Sequence, residues 1–236
     1  MPPGANVDWF SRANFSHWPQ NCRTAIATAP GGVVYLGWRE VAPGNVRDIV
    51  VARSTDGGRT FGAPSRVHAD EWVFDGCPHA GPSMQTDSKG RLHVAWWTGK
   101  KGAAGAWYAR SDDGVTFGPA IALGVAERSM PAHVQLAVAP GGRVVVAWDD
   151  GTARVPRVVV RVSNDGGESF GRAVPVSAKG DAGQFLVLAV HGDSLTVAWT
   201  DQSAAAHQRE QQAMPDMRAP GAATGFRAVS SSLASL

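Results

Sequence analysis

STDGGRTF (Ser54 to Phe61), SDDGVTF (Ser111 to Phe117) and SNDGGESF (Ser163 to Phe170) are three copies of one short pattern, Ser-x-Asp-x-Gly followed by Thr or Ser and then Phe. Each residue type has a physical task in a tight turn. The carboxylates of Asp56, Asp113 and Asp165 can accept backbone N–H bonds across the turn, while Gly58 and Gly167 supply positive φ. Phe61, Phe117 and Phe170 anchor each loop in the neighbouring core, and Ser54, Ser111 and Ser163 open it. The pattern reads as a self-contained hairpin staple, so these aspartates are expected to be structural and not catalytic.

Working outward, each staple trails a strand that ends in Trp: VVYLGW to Trp38, LHVAW to Trp96, VVVAW to Trp148, and a fourth, LTVAW, to Trp199. The tryptophans are 58, 52 and 51 residues apart, and Asp56, Asp113 and Asp165 follow theirs by 18, 17 and 17. A further apolar strand and a tight turn precede each Trp strand, so every unit opens with a hairpin. A fourth strand begins after each staple, at APSRVH, PAIAL and AVPVS. Repeats of about fifty residues, each a four-stranded antiparallel sheet, bury their faces only by stacking on neighbours, which predicts an all-β propeller. Trp at one fixed strand position reads as inter-blade packing. Three units are complete and a fourth is begun, which leaves open blade edges; the expectation is a truncated or altered chain, or self-association through those edges. Residues 1–21 read as a lead-in, 22–200 as blades, and 201–236, rich in Ala, Ser and Gln, as a low-complexity or disordered tail.

Composition narrows the function. With a net charge of +2 and its 22 basic residues scattered singly, the chain lacks the electrostatic footprint of a nucleic-acid binder. No run of eighteen apolar residues occurs, so no membrane span is read, and the N-terminal MPPGANVDWF has no leader pattern. Cys22 and Cys77 can be a disulfide, two free thiols or two ligands of a sparse metal site.

The three staples resemble the Asp-boxes, or bacterial neuraminidase repeats, of the sialidase superfamily, over about residues 22 to 200. The resemblance implies a sialidase-like propeller whose turns lie on the face away from the active site. Ligand groups then come from the segment entering each blade and from the loop joining its second and third strands. Fifteen residues before each repeat Trp stand Arg23, Gly81, His133 and Gln184, at the mouth of the innermost strands. That face pools Arg23, Arg39, Arg47 and Arg128 with Glu40, Asp48, Asp75, Asp149, His79 and His133 as candidate ligand-binding residues. Arginines converging on one rim suit a carboxylated ligand through bidentate bonds. Cys22 and Cys77 both lie in segments entering consecutive blades, so a disulfide between them is favoured, which would imply an oxidising compartment; the segments CR, WREVAPGNVRDI and DGCPHAGP also resemble a bacterial branch of sialidase-like proteins that looks exported, which implies an extracytoplasmic location.

Departures from the pattern matter. A sialidase uses three arginines on the substrate carboxylate, a Tyr nucleophile with its Glu, and an Asp acid/base. The Phe-Arg-Ile-Pro motif is absent, and the two tyrosines, Tyr35 and Tyr108, match no nucleophile position. The expectation is a non-catalytic binding module for an acidic carbohydrate or another protein, with no cofactor and no metal. The alternatives are an exo-α-sialidase-type glycoside hydrolase and a metal-handling or redox accessory protein using Cys77 and His79.

Overall fold

The computed structural model describes residues 24–76, 79–130, 132–152, 155–203 and 225–236. They form successive antiparallel sheets joined in chain order. The first holds β1 (Thr24–Ala29), β2 (Val33–Ala42), β3 (Val46–Ser54) and β4 (Ser65–Arg66), with β5 (Trp72–Val73) added at the other end of β3. The second holds β6 (Ser83–Thr86), β7 (Leu92–Thr98), β8 (Ala104–Ser111) and β9 (Ile121–Ala126); the third holds β10 (Val134–Val138), β11 (Val144–Asp150), β12 (Arg157–Ser163) and β13 (Val174–Pro175). The fourth holds β14 (Asp181–His191), β15 (Ser194–Ser203) and β16 (Gly225–Ser232). Each sheet is a propeller blade.

The middle strands are apolar without alternation because both faces of a blade are covered. In β11, Val144, Val146 and Trp148 pack toward blade two, while Val145 and Ala147 pack toward blade four. Trp96 lies in the core between blades one and two, Trp148 between two and three, and Trp199 between three and four, as their repeat position predicts. The inner strands β1, β6 and β10 splay apart, so side chains meet their unpaired backbone groups: Thr86 donates to Thr28 O at 2.5 Å, Leu136 N donates to Ser83 Oγ at 2.9 Å, and Val138 N donates to Gln85 Oε1 at 2.7 Å.

The staples join the third and fourth strands of blades one to three. In the third, Ser163 Oγ donates to Asp165 Oδ1 at 2.7 Å and accepts Gly167 N at 2.8 Å, and Ser169 donates to Asp165 through N at 3.0 Å and Oγ at 2.6 Å. The first repeats this with Ser54, Asp56, Gly58 and Thr60; in the shorter second, Asp113 accepts Val115 N and Thr116 N while Gly114 N donates to Ser111 Oγ. These donors hold the carboxyls of Asp56 and Asp165 well below the usual carboxylate range, and Asp113 at about 2. The second and third staples also dock on the preceding blade. Gly114 has φ +71 and its backbone lies against the Tyr35 ring; Gly167 has φ +84 and lies against the Tyr108 hydroxyl, where a β-carbon would overlap it.

Residues 225–236 depart from the tail expected over 201–236. Gly225–Ser232 pairs with β15 along Asp201–Ser194, and Leu233 is buried in the core shared by blades three and four. The strand escapes sequence reading because nearly all of its side chains are exposed, so its apolar pattern is not written. Backbone pairing, the Arg227–Asp201 ion pair at 3.0 Å and the Leu233 anchor hold it instead.

Two outcomes are expected. Gly167→Ala combines a positive-φ penalty with overlap on Tyr108 and lowers stability by more than about 1 kcal/mol in denaturant titration. His93 is fully buried, its Nδ1 bonded to Tyr108 Oη at 2.6 Å, and burial lowers its pKa from 6.5 to about 4. The unfolded chain therefore binds a proton that the fold refuses. His93 contributes fully above pH 6.5, and stability falls as pH drops toward 4, by up to about 3 kcal/mol; melting curves across that range should show the loss, and His93→Gln should flatten it.

Candidate functional site

Staples and tyrosines occupy one end of the blades, and the candidate residues occupy the other. Tyr35 and Tyr108 are both buried beneath staples.

The residues after Trp38, Trp96 and Trp148 reach toward the next blade. Arg39, 1% exposed, donates from Nε to Ala80 O at 3.0 Å and from Nη2 to Trp97 O, and its guanidinium lies 5.4 Å from the Trp72 ring. Burial lowers its pKa from 12.5 to about 10, with Asp70 acting in the opposite direction. Trp97 Nε1 donates to Ser129 Oγ at 3.3 Å in the segment entering blade three. Asp149 accepts Phe185 N at 3.1 Å from the first strand of blade four. These three positions act as inter-blade struts.

Around the first strut the segment 70–75 is fastened to blade one. Arg47 Nε donates to Phe74 O at 3.0 Å, and Asp48 accepts Glu71 N at 2.8 Å and pairs with Arg66 at 3.2 Å. Buried Asp70 accepts His68 Nδ1 and Trp96 Nε1, each at 2.9 Å, and burial raises its carboxyl pKa. Arg39, Arg47 and Asp48, expected at a ligand-binding rim, are thus consumed in joining blades. A loop that crosses between sheets needs donors and acceptors for its backbone, and these side chains provide them. Asp75, His79 and Arg128 are exposed. Arg23, Cys22 and Cys77 lie outside the described residues. Among the described residues no group of three or more His, Cys, Asp or Glu is arranged to hold a metal ion. No helix among them is long and apolar enough to cross a membrane.

Two of the pooled residues, His133 and Asp149, come together. A groove of about 360 Å³ opens where the inner strands of blades one to three begin, lined by Thr24–Ile26, Ala80–Met84 and His133–Gln135. His133 presents its imidazole there, with Nδ1 on Asp149 Oδ2 at 2.8 Å and its backbone N–H on Asp149 Oδ1. The Asp149 side chain is 1% exposed and that of His133 14%. Because the carboxylate only accepts, Nδ1 carries a proton, and Nε2 is the ring nitrogen left for a ligand. Sequence reading found both residues but missed Phe185, whose ring centroid lies 4.5 Å from that of His133. The run Phe185-Leu-Val-Leu looks like uninterrupted strand, whereas the register of β14 shifts between Gln184 and Val187. The strut position was legible from the repeat as the residue following each Trp.

No family model and no curated protein matches the sequence. Solved structures do match the fold. The chain is similar to the phage phi92 endosialidase (11% identity, 89% of this chain and 36% of that one, TM-score 0.60). It is similar to an α-L-arabinanase of Penicillium chrysogenum solved with arabinobiose (16% identity, 91% and 64%, TM-score 0.59), and to the Hadza microbial sialidase Hz136 (21% identity, 76% and 42%, TM-score 0.54). The architecture is therefore a β-propeller of the kind found in these structures. The chain spans between 36% and 64% of the length of these three structures.

If Arg39 is a strut, its replacement is a stability defect before it is a binding defect. Arg39→Met should cost about 3 kcal/mol in chemical denaturation by stranding the carbonyls of Ala80 and Trp97.

Proposed function

We propose that this protein is a non-catalytic glycan-binding propeller module that takes its ligand in the groove at the mouth of the inner strands. The observation that carries the reading is the groove itself. It sits on the end of the blades opposite the staples, it is walled by rigid strands of three blades, and it holds one oriented imidazole. The resemblance of the staples to Asp-boxes in sequence supports the same reading.

The chemistry of the wall sets the ligand class. The described lining residues include Thr24, Ser83, His133 and Gln135 but no Arg or Lys, and Arg39 and Arg47 are committed between blades. Recognition through hydroxyl hydrogen bonds and apolar contact suits a neutral sugar better than the acidic glycan suggested by the arginine content. The described lining also has no Asp or Glu, whereas glycoside hydrolysis of the usual kind uses two carboxylates. An extracytoplasmic location belongs to the same reading.

Calorimetric titration of the purified chain with arabinobiose and with 3′-sialyllactose tests it. The neutral disaccharide should bind at least as tightly as the sialylated sugar and with little salt dependence. His133→Ala should weaken it roughly fivefold, the equivalent of about 1 kcal/mol. Turnover of either sugar, or failure of the folded protein to bind any glycan, would sink the proposal.

A further inference from the structure

Phe185 is the described residue whose conformation and exposure are hardest to account for by folding alone. It is not glycine, yet its φ is +54, a backbone state that L side chains adopt at a cost. It sits in the irregularity of β14, where pairing with β15 passes from Gln184–Thr200 to Val187–Ala198 and leaves two residues out of register. Its next neighbour Leu186 is buried in the inter-blade core, but Phe185 itself is 58% exposed. A bulge that merely relieved sheet geometry would put Gly or a polar residue at such a position.

What the bulge achieves is local and chemical. It turns Phe185 N onto Asp149 Oδ2 at 3.1 Å, the same oxygen that accepts His133 Nδ1 at 2.8 Å, and brings the two rings to 4.5 Å at an interplanar angle of 43°. One buried carboxylate thereby fixes an exposed aromatic ring and an imidazole side by side at the edge of the groove. An aromatic face beside an imidazole nitrogen matches a pyranose or furanose ring, which offers apolar C–H bonds on one face and hydroxyl groups, both donors and acceptors, at its edge.

From this we infer that Phe185, His133 and Asp149 form a monosaccharide subsite: the sugar ring stacks on Phe185, a ring hydroxyl hydrogen-bonds with His133 Nε2, and Asp149 is a positioning residue that touches no ligand. The inference rests on the glycan-binding reading and adds to it the blade-four residue that selects for a sugar ring.

The experiment titrates arabinobiose into the wild-type chain and into Phe185→Ala, Phe185→Gly, Phe185→Trp and, as a control, Phe226→Ala, which removes a ring that is 90% exposed on β16. Melting temperatures are recorded for each. The expected result is at least tenfold weaker binding for Phe185→Ala and Phe185→Gly, near-wild-type binding for Phe185→Trp and Phe226→Ala, and a Phe185→Gly variant that melts at or above wild type because glycine accepts the positive φ. Wild-type affinity in Phe185→Gly and Phe185→Ala would overturn the subsite and leave the glycan reading standing. A Phe185→Gly variant melting well below wild type would make the ring a packing group and overturn the subsite equally. Absence of binding by the folded wild-type chain would remove the glycan reading, and the subsite with it.

Discussion

Everything in this fold depends on sheets that are apolar on both faces. A blade such as β10–β13 has no solvent side for its middle strands: Val144, Val146 and Trp148 need blade two as much as Val145 and Ala147 need blade four. Stability is therefore a property of neighbouring pairs, as in other stacked repeats. The repeat tryptophans follow from the same constraint. A large ring at the end of each second strand spans the gap between splayed sheets where smaller side chains would leave a void.

Stacking fixes how far apart blades sit but not how they are rotated, and two kinds of contact at opposite ends do that. At one end the staples lay glycine backbone on the tyrosines of the preceding blade, Gly114 on Tyr35 and Gly167 on Tyr108. At the other end the residues after Trp38, Trp96 and Trp148 reach into the next blade. The staple end is closed off by its own hydrogen bonds, with the carboxylates saturated by turn donors. The strut end retains exposed polar groups, which is why the groove and its imidazole belong there.

The legibility of the sequence followed the same division. Turns specified by short-range chemistry were readable: Ser-x-Asp-x-Gly dictates its own hydrogen bonds, so the strands on either side could be placed to within a few residues. Strands buried on both faces were readable from apolar runs at a constant spacing. β16 was not, because it is held by backbone pairing and a single buried Leu233 and displays no apolar face. Nor were the fates of Arg39 and Arg47, since charge in a loop looks the same whether it meets a ligand or a neighbouring carbonyl. Burial at a blade interface decides that, and burial is a long-range property.

The three struts show why chemistry concentrates at only one of them. Arg39 has only donors, and the carbonyls of Ala80 and Trp97 take two of its nitrogens, so the contact ends in the backbone of the next blade. Trp97 has one donor and spends it on Ser129. Asp149 alone is an acceptor, and a carboxylate has lone pairs enough for several donors at once. It takes the backbone of His133, the imidazole of His133 and the backbone of Phe185, and in doing so it orders two side chains that it does not itself cover. Replacing a donor by an acceptor at one position of a repeat thus changes a joint between blades into a support for exposed groups. A repeat scaffold can acquire a site in this way without altering the packing on which its blades depend.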